Sequence, residues 1–258
     1  MKIGFIGMGN MAKAIAMGWV SKNVVNKNDL FAYAPTREKL LKNAREIGFT
    51  PCCSALELVE NSNLVILACK PYQIEGVLKE VGNALQDKAL VSIAAGWSYD
   101  KFDALLDSVR IQCIMPNTPA MVGEGVFLLE DKNSLAIDEL SELKTMFEKL
   151  GIVVTLPSSQ MTIGMAISGC GPAFMDLMME AYADAAVKYG VQRATAYKLI
   201  AQTMLGSAKL QLETGKHPGV LKDEVCSPNG TTIRGVTTLE EQGFRNACIK
   251  SVDAIMNK

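Results

Sequence analysis

The residues of this chain best placed for chemistry are glycines, hydroxyls and backbone amides. The segment Gly4-Phe5-Ile6-Gly7-Met8-Gly9-Asn10-Met11-Ala12 sets Gly7-x-Gly9-x-x-Ala12 between an apolar run and a helical segment, the context in which this spacing cradles a dinucleotide. Gly7 permits a tight turn, Gly9 lets the backbone approach a pyrophosphate, and Ala12 lets the helix pack on its sheet. The free amides of that helix start suit phosphate. Nicotinamide folds that take NAD place a carboxylate after the second strand, but here the strand ends Tyr33-Ala34-Pro35-Thr36-Arg37. Thr36 and Arg37 suit a 2′-phosphate, and one charge-assisted hydrogen bond contributes about 1.5–3 kcal/mol. The competing reading makes Arg37 a solvated residue of the next helix. NADPH is the expected cofactor, with NADH possible.

Two further segments follow strands. Cys69-Lys70-Pro71 comes after Leu64–Ala68, and Ala94-Ala95-Gly96 ends the strand that begins near Ala89. Ligands of open α/β sheets lie outside the carboxyl ends of the strands, so both segments flank a nicotinamide. Lys70 reads either as a cofactor contact or as a solvent-facing charge. Far along the chain, Asp223-Glu224-Val225-Cys226-Ser227-Pro228-Asn229-Gly230-Thr231-Thr232 leads into a helix. Its amides and hydroxyls at a positive helix end suit a carboxylate, and they equally suit an ordinary cap. The only histidine, His217, lies in a polar Lys216-His217-Pro218-Gly219 loop.

The elements that must position these residues change character once. Up to Pro157, short apolar strands alternate with helices. The strands are expected at Lys2–Ile6, Leu30–Ala34, Leu64–Ala68, Ala89–Ile93, Arg110–Met115, Val126–Leu129 and Ile152–Leu156. Helices are expected at Met11–Ser21, Arg37–Ile47, Ile74–Ala84, Tyr99–Leu106 and Ala136–Leu150. Unalternating strands such as Leu64-Val65-Ile66-Leu67 predict a parallel sheet covered on both faces. After Pro157 only helical periodicity remains, over Pro172–Tyr189, Ala194–Thr214, Thr231–Gln242 and Phe244–Asn257. The reading is therefore α/β: a dinucleotide-binding doubly wound domain over 1–157, then an all-helical domain over 158–258. The later helices are apolar on more than one face and too few to bury themselves, which predicts packing against a second copy.

Composition narrows the partners. With 258 residues, 26 Lys and Arg against 27 Asp and Glu, and 49% hydrophobic residues, the chain carries no basic excess for nucleic acid or an anionic surface. The uncharged stretch between Lys149 and Asp176 is broken by prolines and glycines, so no membrane span is expected. Seven cysteines without a CxxC pair read as free thiols in a reducing cytoplasm, with no disulfide framework and no metal site. The expected partner is a small-molecule substrate.

The motifs GFIGMGNMAKAI (4–15), ACKP (68–71), SIAAG (92–96), MPNTP (115–119), SGCGPAF (168–174) and DEVCSPNGTTIRGVTTLE (223–240) together resemble the pyrroline-5-carboxylate reductases, in that family's order and across essentially the whole chain. The resemblance implies a Rossmann-type domain, a helical dimerisation domain, dimers assembled further into decamers, and NAD(P)H-dependent reduction of 1-pyrroline-5-carboxylate to L-proline. It implies that Ile6, Gly7, Met8, Gly9, Asn10 and Met11 hold the pyrophosphate. Ala68, Cys69, Lys70 and Pro71 with Ala94, Ala95 and Gly96 would line the nicotinamide. Ser227, Gly230, Thr231 and Thr232 would hold the substrate, with the Thr232 hydroxyl at the ring nitrogen as the catalytic group. Three positions depart from the family pattern. Asn229 replaces a glycine, Cys170 replaces a serine, and Ala34 stands where a serine near the 2′-phosphate is common.

Two rivals stand beside this reading. A 3-hydroxyacid dehydrogenase uses a lysine in its interdomain helix, and Ala173–Ala186 has none. A non-catalytic sensor of NADP or proline-pathway metabolites would keep the same residues, and only turnover separates it from an enzyme.

Overall fold

The computed structural model describes residues 1–257. Strand β1 (Ile3–Ile6) is buried at every position because it lies inside the sheet, with neighbours on both edges and cover on both faces. Helix α1 (Asn10–Ser21), strand β2 (Leu30–Tyr33) and helix α2 (Arg37–Ile47) follow. Strand β3 (Thr50–Pro51) and helix α3 (Ala55–Glu60) then fill a span to which the periodicity assigns no element. The signal there is Ser54-x-x-Glu57: Ser54 Oγ caps the helix by accepting from Glu57 N at 3.0 Å, and Glu57 Oε2 reaches back to accept from Cys53 N, one residue before the cap, at 2.6 Å. Strand β4 (Leu64–Leu67), helix α4 (Ile74–Val81), strand β5 (Ala89–Ser92) and helix α5 (Tyr99–Asp103) come next, α5 ending short of the expected Leu106. Strand β6 (Arg110–Pro116), strand β7 (Gly125–Asn133), helix α6 (Ile137–Glu148), strand β8 (Gly151–Leu156) and helix α7 (Met161–Ser168) complete the α/β part.

The eight strands run in the order β3-β2-β1-β4-β5-β6-β7-β8. The chain builds outward from β1 through β2 to β3, then returns to the other side of β1 with β4, so the order reverses between β1 and β4. Ile6 pairs with Tyr33 on one side and Leu67 on the other, which brings the carboxyl ends of three strands level. One feature corrects the parallel expectation: β7 runs antiparallel to β6, while β8 is again parallel to β7. Only a 3-10 turn over Thr118–Val122 separates β6 from β7, too short for a crossover helix, so the chain must reverse.

The core lies on both faces of the sheet. One face gathers Ile3, Phe5, Trp19, Phe127 and Phe147, and the other Ile6, Leu58, Val65, Phe102 and Ile111. Trp19 packs its ring 5.9 Å from Phe5 and 5.1 Å from Phe147 and donates Nε1–H to Met146 O at 3.0 Å. That anchor fixes α1, and hence the helix start that follows the glycine-rich turn.

The chain divides into two compact units, Met1–Gly169 and Cys170–Lys258. Helix α7 packs on β6 and β7 inside the first unit. Gly164 makes that close approach possible, since a Cβ there would sit 2.6 Å from Leu156 Cδ1. The second unit holds helices α8 (Gly171–Lys188), α9 (Arg193–Thr214), α10 (Pro218–Glu224), α11 (Thr231–Glu241) and α12 (Phe244–Met256). Pro218 opens α10 at its first position, where proline is favoured, and turns the expected loop around His217 into a helix start. Helices α8 and α9 pack on each other, and each carries a buried alanine, Ala183 and Ala196. Large apolar side chains nevertheless face outward in this unit, among them Leu177, Tyr189, Leu199 and Leu212. Among the described residues, no helix is long and apolar enough to cross a membrane.

Candidate active site

The glycine-rich turn sits at the sheet's reversal point. Gly7 has φ +99°, and a Cβ on it would lie 2.7 Å from the Ala68 carbonyl and from Cys69 N. Only glycine permits β1 to turn that close to the end of β4. Gly7 N donates to Tyr33 O at 2.7 Å, joining the ends of β1 and β2. Asn43 on α2 supports the turn by donating Nδ2–H to Met8 O at 3.3 Å. Gly9 is the N-cap of α1, with φ −78° and ψ −174°, values open to any residue. A Cβ there would meet nothing within 4 Å. The fold does not need glycine at position 9, whereas a ligand against the backbone would.

No side chain caps α1, and its first turn carries no acidic residue. The amides of Asn10, Met11 and Ala12 therefore offer donors and a positive helix end to an anion. Ala12 is buried, in keeping with close packing of α1 on the sheet. At the end of β2, Thr36 is the N-cap of α2 with no side-chain cap bond, and Arg37 is its first residue. Arg37 is exposed but held: Nη1 donates to Cys52 O at 2.7 Å, with Nη2 4.0 Å from Cys53 Sγ. Burial pushes the Cys52 thiol up to about 11, so at neutral pH the Cys52 side chain does not neutralise the guanidinium. The donors of Arg37 left over by Cys52 stay available beside Thr36.

The other two segments are tied together. Trp97 donates Nε1–H to Pro71 O at 3.2 Å, and Lys101 donates Nζ–H to Gly96 O at 2.6 Å. Ala94 N is held by Ser92 Oγ at 3.3 Å. Gly96 has φ +78°, and a Cβ there would meet nothing within 4 Å, leaving room for a flat ring. Lys70 is exposed and Ala68 and Cys69 are half-buried. Burial raises the Cys69 thiol above its ordinary value, so it lines the shelf as a neutral group. A cavity of about 430 Å³ lies at the opposite ends of β4 and β5, lined by Met1, Asn63, Lys88 and Arg110. Binding to an open α/β sheet uses the carboxyl ends instead.

In the second unit, Ser227 to Gly230 form a tight turn in which Gly230 N donates to Ser227 O at 3.0 Å. A Cβ on Gly230 would collide with Ser227 Oγ. Gly230 is the N-cap of α11, which has no side-chain cap and no acidic residue in its first turn. Thr237 and Thr238 spend their hydroxyls on Arg234 O at 3.0 and 2.9 Å. The hydroxyls of Thr231 and Thr232, both exposed, make no such bond among the described residues. Asn229 adopts φ +57°, and its Oδ1 accepts from Arg234 Nη2 at 3.0 Å. The side chain thus supports a left-handed conformation that asparagine tolerates. We expect Asn229→Gly to keep substrate affinity within about twofold, while Asn229→Val adds about 1–2 kcal/mol of strain and lowers the folded-to-unfolded ratio roughly 5- to 30-fold. Steady-state kinetics on the first variant and denaturant unfolding of the second check this.

Asn43, Trp97 and Lys101 support the candidate cofactor residues of the first unit, and no sequence pattern singles them out; Arg234, inside the 223–240 motif, supports the turn of the second. Each works through a contact the fold creates or through the geometry of a turn.

Two family models match the chain. One, described as pyrroline-5-carboxylate reductase dimerisation, covers residues 158–258, and one described as NADP oxidoreductase, coenzyme F420-dependent, covers residues 2–96. The chain is 39% identical to the pyrroline-5-carboxylate reductase of Treponema pallidum, over 100% of this chain and 99% of that one. It is also 39% identical to the Escherichia coli enzyme of that name, over 100% and 96%. The crystal structure of Plasmodium falciparum pyrroline carboxylate reductase with NADP bound superposes with a TM-score of 0.89 at 32% identity, covering 99% and 95% of the two chains.

Proposed function

The chain belongs to the pyrroline-5-carboxylate reductase family, and we propose that it reduces 1-pyrroline-5-carboxylate to L-proline with NADPH, at the end of proline biosynthesis. The observation that carries the reading is the start of α11: a glycine-capped helix whose first amides and Thr231 and Thr232 hydroxyls are spent on nothing else. A small substrate with one carboxylate and one ring nitrogen suits those donors. The carboxylate gains about 0.3–1 kcal/mol from the helix end and more from each charge-assisted bond. Ser227 and Gly230 shape the turn around it.

The residues of the first unit fit the other reactant. The amides that open α1 take the pyrophosphate, Thr36 and Arg37 the 2′-phosphate, and Ala68 to Pro71 with Ala94 to Gly96 the nicotinamide. When bound, the nicotinamide supplies a hydride to the imine carbon. The protein's own work is orientation, which supplies about 7–11 kcal/mol of a barrier of this kind. Thr232 directs its hydroxyl at the ring nitrogen, the atom that must carry a proton for a hydride to add. His217 is spent elsewhere, its Nδ1 accepting from Gly219 N at 3.0 Å.

Arg37→Ala tests the coenzyme assignment. Losing one charge-assisted contact of about 1.5–3 kcal/mol should raise the KM for NADPH roughly 10- to 150-fold while leaving that for NADH within twofold. Equal effects on both nicotinamides would remove Arg37 from the 2′-phosphate. The function itself is tested by following NADPH oxidation with pyrroline-5-carboxylate and assaying for proline. Binding of both compounds without turnover would make the protein a sensor.

The second unit carries the family's dimerisation region, and its outward Leu177, Leu199 and Leu212 support self-association into dimers; assembly of those dimers into decamers rests on the family resemblance. Seven free thiols support a cytoplasmic location.

A further inference from the structure

Glu130 on β7 is a carboxylate buried in the first unit, with 2% of its surface exposed. Its Oε2 accepts from Tyr99 N at 2.8 Å, while its Oε1 and the neighbouring Gln112 Oε1 have no partner among the described residues. The backbone explains how it comes to be there. Between Gln112↔Asn133 and Ile114↔Leu129 the register of β6 and β7 slips, one residue on β6 facing three on β7. Gln112 Nε2 stitches the bulge by donating to Cys113 O and Glu130 O, both at 2.9 Å. Bulges of this kind re-aim a side chain. Here the re-aimed group reaches the first amide of α5, whose N-cap, Ser98, supplies no side-chain bond. Burial, then the charge of Glu130 and a hydrogen bond to it, push the adjacent Cys113 thiol up, so the carboxylate sits beside a neutral donor.

Burying a carboxylate that keeps one oxygen unpartnered is costly, and the cost falls where the loop Ala94–Ser98 runs into α5. Of the loop's other ties, Lys101 on Gly96 O and Trp97 on Pro71 O lie where water competes, and the buried bond from Ala94 N to Ser92 Oγ is long at 3.3 Å. We infer that Glu130 is a positioning residue for hydride transfer: by fixing the start of α5 it fixes the Ala94–Gly96 backbone that receives the nicotinamide. This rests on the proposed role of that segment.

The test replaces Glu130 with Met, which keeps the volume and removes the acceptor, and with Gln, which restores an acceptor without the charge. Assays use NADPH deuterated at the transferred position. Glu130→Met should lower kcat on the order of tenfold or more, as small misplacements of a reacting group do, and raise the isotope effect on kcat. Affinity for 2′-phospho-ADP-ribose, which lacks the nicotinamide, should not change. Glu130→Gln should return kcat to within about threefold of wild type. A Glu130→Met enzyme with wild-type kcat and isotope effect overturns the inference, as does one that also loses the fragment. Should that variant not fold, Tyr99→Pro removes the donor at a helix position suited to proline and carries the same readings. A wild-type protein that does not reduce pyrroline-5-carboxylate defeats the proposed function instead.

Discussion

Gly9→Val should give a protein that folds and melts as wild type yet has lost its affinity for NADPH. The backbone at Gly9 lies where any residue is comfortable, and the added carbons point into open space. The same carbons would take the place of a phosphate held against the uncapped amides of α1. Excluding a phosphate from two charge-assisted bonds, at about 1.5–3 kcal/mol each, weakens binding on the order of 10²-fold or more. Gly7→Ala makes the contrast. There a Cβ meets the Ala68 carbonyl at 2.7 Å with φ at +99°, so the fold itself suffers. Calorimetric titration of NADPH with a thermal melt on each variant separates the two roles. Tight NADPH binding by Gly9→Val would mean that the nucleotide lies elsewhere.

Thr232→Ala should lower kcat/KM for pyrroline-5-carboxylate about 10- to 150-fold, the worth of one hydrogen bond to a charged or charging group. The affinity for NADPH should stay within twofold. The hydroxyl is the main part of the residue at stake, since Thr232 is exposed and α11 has no side-chain cap. Thr232→Ser, which keeps the hydroxyl, should recover most of the loss. A Thr232→Ala enzyme with wild-type kcat/KM would leave the ring nitrogen to another donor.

What the sequence discloses follows the range of the interactions. Gly7, Gly9 and Ala12 are legible because a strand, a turn and a helix lie within nine residues, and the structure sets them at the β1/β4 reversal. The α11 start is legible for the same reason: Pro228, Asn229 and Gly230 are turn formers beside two threonines. Short elements escape. β3 pairs through two residues only, and α10 begins where His217-Pro218 reads as a break. The direction of β7 is hidden because apolar runs look alike whichever way they pair, and only the brief connection from β6 decides it. The contacts of Glu130 with Tyr99, and of Asn43 with Met8, join positions 31 and 35 residues apart, which no local pattern encodes.

The direct test of hydride transfer is to follow the label. NADPH carrying deuterium at the transferable position is turned over with pyrroline-5-carboxylate, and the proline formed is examined by mass spectrometry and proton resonance. One deuterium per molecule, on the ring carbon that was doubly bonded to nitrogen, is the predicted result. Proline formed without deuterium, or NADPH consumed with no proline made, would contradict it.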